Sequence, residues 1–199
     1  MDFIDLATRC APSVHPATLA AIVQHESNLN PYAIGINSKR FSLRRQPANQ
    51  LEAVALSGFL REHKVDFDSG LGQINVRNLR RLNLSEAALF DPCKNIKASA
   101  KLLTDCYTRA TYQFGEGKKA LHAALSCYNT GNFHQGFSNG YVSKILAQAE
   151  RKIPSILSSQ PEKPHMNAAP TNPKKTFEKK DIFEIKNKPD AFKKHQKSV

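Results

Sequence analysis

Three short segments hold side chains whose types and spacing suit chemistry on a sugar polymer. Glu26 continues the apolar stripe of Leu19, Ile22 and Val23 one helical turn further on, so its carboxylate falls on the side of the helix that faces the core. An ionised carboxylate there loses hydration, which raises its pKa and keeps it protonated nearer neutral pH. A protonated carboxyl in a cleft is what general-acid cleavage of a glycosidic bond requires. Taken alone, Glu26 reads equally as a carboxylate buried with a Lys or Arg partner, or as one at an exposed helix end.

The second segment is Ser69-Gly70-Leu71-Gly72-Gln73-Ile74-Asn75. Its glycines allow backbone to lie close to a flat ligand, and Gln73 and Asn75 supply amide donors and acceptors suited to sugars. It has neither the Lys-Ser/Thr ending of a phosphate loop nor the third glycine of a dinucleotide turn. Asp66 and Asp68, just before it, could activate a water from the far side, or simply solvate a turn. The third segment is Ala123 to Gly131, in which Tyr128 lies on an inward stripe and its hydroxyl needs a buried partner. A catalytic carboxyl is one candidate for that partner, and a backbone carbonyl is the other. His25 adjoins Glu26, but His63, His122 and His134 are scattered and no His-Glu-x-x-His pattern occurs, so no metal or cofactor is expected.

The elements that must position these groups are helical. Pro16 suits the first turn of a helix that Pro31 ends. Residues 31–48 read as irregular with a short strand, and Leu51, Val54, Ala55 and Phe59 mark a second helix. Residues 63–76 carry a loop signature. Asp91-Pro92 introduces a long helix through Ile96, Ala100, Leu103 and Tyr107. The turn Gly115-Glu116-Gly117 leads to a fourth helix that Gly131 caps, and a last helix holds Tyr141, Val142, Ile145, Leu146 and Ala149. Strong periodicities lie near 3.6 residues and none is sustained at 2, so the domain is mainly α.

Geometry ranks the pairings of Cys10, Cys93, Cys106 and Cys127. Cys93 and Cys106 sit on or beside one helix, about 20 Å apart at 1.5 Å per residue, too far to bridge. Cys106 and Cys127 are equidistant from the Gly-Glu-Gly turn, so antiparallel helices bring them level. The expected bridges are Cys106–Cys127 and, by exclusion, Cys10–Cys93; four reduced, buried thiols fit the sequence equally well.

Apolar residues thin out late in the 199-residue chain, which divides it into a domain at 1–159 and a basic Pro/Lys-rich tail at 160–199, expected to be disordered. Phe177, Ile182, Phe183 and Ile185 form an apolar island in that tail, a docking element for a partner or nothing. The net charge of +12 is partly the tail's, where ten Lys face five acids. The basic residues of the domain are dispersed and not interleaved with aromatics, which argues against nucleic acid and suits an anionic wall polymer. No run nears the roughly 20 apolar residues of a membrane span. The opening Met-Asp-Phe-Ile-Asp has acids where a signal peptide has a basic region, so no export signal is legible in it.

In order along the chain, Glu26-Ser27 after an apolar helix, Gly70-Leu71-Gly72-Gln73, and Tyr128-Asn129-x-Gly131 resemble the motifs of the soluble lytic transglycosylase family, over roughly residues 10–150. Asn30-Pro31-Tyr32-Ala33-Ile34-Gly35 and Gly72-Gln73-Ile74-Asn75 are similar to the VirB-type transglycosylases of type IV secretion systems. The resemblance implies a lysozyme-like (goose-type) helical domain with a small irregular or β region, acting on peptidoglycan glycan strands in the periplasm. It implies that Glu26 protonates the leaving oxygen and then accepts the proton of the muramoyl C6 hydroxyl, which closes a 1,6-anhydro ring. It further implies that Ser27, Gln73, Asn129 and, more weakly, Asn75 contact sugar, that Tyr128 orients Glu26, and that secretion components are partners through the tail. Two departures stand out: Gly72 replaces a bulkier residue such as Met, which would widen the cleft floor, and the stretch at 35–65 is long. The rival readings are a hydrolytic muramidase using Glu26 with Asp66 or Asp68, and a non-enzymatic wall-binding assembly factor.

Overall fold

The computed structural model describes residues 2–150 and the backbone of Phe183–Ile185. The chain opens with α1 (Phe3–Cys10), capped by the Asp2 carboxylate and burying Phe3, Leu6 and Ala7. The periodicity of the sequence had assigned no element there. The next helix, α2 (Pro16–Ser27), starts as expected with Pro16 in its first turn, and His15 accepts a hydrogen bond from Ala17 N–H. Its residues Leu19 to Val23 are buried in succession, so α2 is apolar all round and lies inside the domain rather than on its surface. Leu19, Ala20 and Val23 pack with α1, whereas Ala21 and Ile22 join the cluster around the last helices.

Two consecutive residues, Asn28 (φ 51°) and Leu29 (φ 63°), adopt left-handed backbone and end α2 before Pro31 is reached. Such conformations are rare outside glycine, and the apolar side chain of Leu29 is tied down against the α1–α2 cluster. The chain then forms β1 (Ile34–Ile36), β2 (Phe41–Leu43) and α3 (Gln50–Glu62), followed by β3 (Phe67–Ser69) and β4 (Ile74–Asn75). β1, β3 and β4 make a small antiparallel sheet with Gly35 opposite Asp68 and Asp68 opposite Asn75. Residues 63–76 therefore hold a tight hairpin where the glycines and aspartates had predicted only loop. Strands of three and two residues are too short to display alternation.

After the short α4 (Leu79–Leu82), the domain is completed by α5 (Pro92–Phe114), α6 (Lys118–Thr130), α7 (Gln135–Ser138) and α8 (Tyr141–Ala149). α5 and α6 form the antiparallel hairpin anticipated from the Gly-Glu-Gly turn, and Gly131 (φ 79°) caps α6. Both expected bridges are present: Cys10–Cys93 ties α1 to the start of α5, and Cys106–Cys127 staples α5 to α6. Among the described residues no helix is long and apolar enough to cross a membrane.

Phe183–Ile185 forms β5, which pairs antiparallel with β2, Phe41 opposite Ile185 and Leu43 opposite Phe183. Two members of the apolar island, Phe183 and Ile185, are thus in a strand laid on the chain's own domain. Phe177 and Ile182 lie outside the described residues, as does the rest of the tail.

Candidate active site

The three segments converge on one groove of about 660 Å³. Glu26, at the last turn of α2, reaches it together with Asp68, Gln73 and Asn75 from the hairpin, and with Tyr128 and Asn129 from α6. From α5 come Leu102, Asp105, Cys106 and Arg109, spaced i, i+3, i+4 and i+7 and so on one helical face.

Burial pushes the Glu26 carboxyl up to about 7, and the negative charge of Asp68 adds to the effect. A hydrogen bond from Tyr141 opposes both: its hydroxyl donates to Glu26 Oε1 at 2.6 Å. Tyr141 is buried at the start of α8, edge-on to the His25 ring at 5.2 Å, which fixes the phenol's direction. Tyr141, not Tyr128, orients the acid. Tyr128 donates instead to the carbonyl of Gly72 at 2.7 Å, so it braces the glycine turn from which Gln73 projects. Both tyrosines sit on inward stripes of their helices, and only the approach of α8 to α2 distinguishes them.

The glycines are required by close contacts. A Cβ on Gly70 (φ +76°) would lie 2.1 Å from the Leu89 carbonyl oxygen and 2.2 Å from Asn95 Nδ2. A Cβ on Gly72 would lie 1.9 Å from Ser99 Oγ and 2.8 Å from the Tyr128 hydroxyl. Gly72 therefore does not widen the cleft floor, because Ser99 and Tyr128 occupy the room a larger residue would take. Asn95, fully buried on α5, ties this turn down: its amide donates to the carbonyls of Ser69 and Leu89 and accepts from Gly72 N–H at 2.8 Å. Nothing in the sequence singled out Asn95, since an asparagine in a long helix has no pattern of its own.

The amides expected to contact sugar are partly spent on the protein. Gln73 Nε2 donates to the carbonyls of Gly70 and Ala33, leaving Oε1, which lies against Gly35. Asn129 Oδ1 accepts from Asn139, leaving its amide N–H groups for the groove. Asn75 is committed: Nδ2 donates to Asp66 and Asp68, and Oδ1 caps Arg77 N–H. It holds the aspartates rather than presenting an amide. Ser27 also departs from expectation, because its hydroxyl donates to Val23 O within α2 and it does not line the groove.

Asp68 has one carboxylate oxygen bonded by Asn37 and the other by Asn75, each at 2.8 Å. Burial nevertheless pushes its carboxyl up, with Asp66 contributing in the same direction. Asp66 pairs with Arg77 at 3.1 Å. Asp68 and Asp66 are thus engaged by Asn37, Asn75 and Arg77, whereas Glu26 is the groove carboxyl raised to about 7. A carboxyl raised toward neutral pH and aimed by a phenol into a polar groove of a mainly helical domain is suited to general-acid chemistry.

Comparison with known proteins agrees. The Transglycosylase SLT domain family matches residues 6–149, and the chain belongs to that family. It is 46% identical over 154 residues to the type IV secretion system protein virB1 of Brucella abortus (strain 9-941), an alignment covering 74% of this chain and 64% of that protein. It is 38% identical over 155 residues to protein virB1 of Agrobacterium fabrum, covering 78% of this chain and 62% of that one. The chain thus spans less than two thirds of the length of these relatives. No solved structure gives a significant match.

Proposed function

We propose that the chain is a peptidoglycan lytic transglycosylase that cleaves the bond between N-acetylmuramic acid and N-acetylglucosamine, opening the wall in the periplasm for a type IV secretion system. The observation that carries this reading is Glu26: one carboxyl, raised to about 7 and aimed into the groove by Tyr141. Near neutral pH such a group can donate a proton and take one back.

Glu26 protonates the oxygen between the muramoyl C1 and the next sugar, and the C1–O bond breaks as that sugar leaves. The muramoyl C6 hydroxyl attacks C1 while the Glu26 carboxylate accepts its proton, closing the 1,6-anhydro ring. No water is consumed, and Glu26 ends as it began. The attack is intramolecular, so it needs no positioned water and no second carboxylate as nucleophile. Gln73 Oε1, the Asn129 amide and the groove-lining ring of Tyr128 are the groups proposed to hold the sugars.

Residues 1–159 are proposed as the catalytic unit and 160–199 as a basic extension, joined to it where β5 pairs with β2, that contacts secretion components. Mass spectrometry of products released from purified sacculi tests the chemistry. Anhydromuramoyl products, one water lighter than hydrolysis products, support it; reducing-end products alone overturn it.

A further inference from the structure

Among the described residues β2 has one strand partner, and the chain supplies it from far along the sequence as β5. The register sets Ile185 opposite Phe41, Phe183 opposite Leu43 and Glu184 opposite Ser42, so apolar positions meet apolar ones and polar meets polar. A slip of one residue would set Glu184 against Phe41 or Leu43, which specifies the register. Phe41 and Leu43 are half-buried against the core cluster that holds Ile34, Ala53 and Leu56. That contact gives the short ribbon the packing that two strands alone lack.

β2 stands in a segment that reaches the catalytic groove. Just before it, Asn37 lines the groove, donating its backbone N–H to the Asp66 carbonyl at 2.9 Å and Nδ2 to Asp68 Oδ2 at 2.8 Å. Beyond it, the Gln46 side chain exchanges two bonds with the Ile34 backbone, at 2.8 and 3.1 Å. Between these two anchors β5 holds the segment from outside. Asn37 is exposed, so its bonds compete with water and depend on how firmly the neighbouring backbone is held. We propose that the β5–β2 pairing is a latch, closed within one chain, that positions Asn37 and this wall of the groove for binding glycan. Phe183–Ile185 is then a positioning element of the catalytic domain, and the basic extension is part of the groove's support. The effect on glycan rests on the transglycosylase reading above; the pairing itself does not.

The full chain carrying Phe183→Pro and Glu184→Pro together tests the latch. Successive residues of a strand turn their N–H groups to opposite edges, so the pair of prolines removes a ladder donor whichever residue supplies it. Hydrogen exchange at Asn37 and at Phe41–Leu43 should accelerate by about tenfold or more, with α5 and α6 unchanged. KM on glycan strands should rise by about three- to tenfold, with kcat within about twofold of wild type because Glu26 and Tyr141 are untouched. Glu184→Gln keeps the ladder and should match wild type in both measurements. Unchanged exchange at Phe41–Leu43 overturns the pairing, and faster exchange there with an unchanged KM overturns its role at the groove. In a second variant, Ser42→Cys with Glu184→Cys, peptide mapping without reductant should find positions 42 and 184 joined within one chain. Joining between two chains would show a strand exchanged between copies and overturn the latch as stated. Wild type that releases no anhydro products would remove the transglycosylase reading and the claim on KM with it, whereas hydrogen exchange would still decide the pairing.

Discussion

Tyr141 donates its hydroxyl proton to Glu26 Oε1 across 2.6 Å, joining the start of α8 to the last turn of α2. Among the described residues Oε2 receives no such bond, so one oxygen of this groove-lining carboxyl is anchored and the other is not. The bond also opposes the desolvation that raises the acid, holding it at about 7 rather than higher. The contact that aims the acid also tempers the proton affinity that burial raises.

Tyr141→Phe should therefore have two effects. Loss of one hydrogen bond to the carboxyl lowers kcat on sacculi by about tenfold, equivalent to about 1.4 kcal/mol. The alkaline limb of the pH–rate profile moves to higher pH, because the contact that favoured the carboxylate is gone. A reduced rate with an unmoved limb would reduce Tyr141 to a packing residue.

Asp68→Asn should shift the same limb the other way. The Asp68 charge raises Glu26, so neutralising it lets the acid ionise at lower pH. At pH 7 less of the enzyme is then protonated, and activity falls by about two- to fivefold. Since Asn37 and Asn75 both donate to Asp68, asparagine there also loses one good partner. Limbs moving in opposite directions in these two variants are difficult to produce by general loosening of the fold.

Stability should depend on pH through Glu26 itself. The folded carboxyl is raised from 4.5 to about 7, so between those values the folded chain holds a proton that the unfolded chain has released. That stabilising contribution is fully present below about pH 4.5 and is lost as pH rises through about 7. Glu26→Gln stays neutral throughout. Denaturant titrations should find it close to wild type at pH 4.5 and more stable at pH 8, by on the order of 2–3 kcal/mol.

Opening Cys106–Cys127 should loosen the α5–α6 hairpin. The bridge closes a loop with a sequence separation of 21, for which chain entropy gives about 3 kcal/mol. The Cys106→Ser, Cys127→Ser double variant should melt several degrees lower, and thiol titration of the wild type under denaturing, non-reducing conditions should find no free thiols.

What could be read in advance follows the length of the interactions involved. Glu26 was legible as a carboxylate one turn beyond apolar residues, although the burial of Leu19 to Val23 in succession means that no single face of α2 set its direction. The α5–α6 pairing followed from a glycine turn midway between Cys106 and Cys127; it ranked the cysteine pairings but left reduced thiols equally compatible. Tyr141 was visible only as a member of an apolar stripe, since its partner lies 115 positions away and no local pattern reports the approach of α8 to α2. The Tyr128 hydroxyl needed a buried acceptor, and the sequence could not choose between a carboxylate and the Gly72 carbonyl. Ser27 and Asn75 have the chemistry of sugar ligands, but short polar side chains bond nearby backbone and neighbours first, and here they do. The β3–β4 hairpin was hidden by its brevity and by glycines that serve packing against Asn95 and Ser99 rather than a loop.

The most direct measurement is product analysis on purified sacculi with wild type and Glu26→Gln side by side. A single acid acting through an intramolecular C6 hydroxyl requires anhydromuramoyl products from wild type and none from Glu26→Gln, with the variant still folded. Reducing-end products from wild type, or undiminished release by Glu26→Gln, would contradict it.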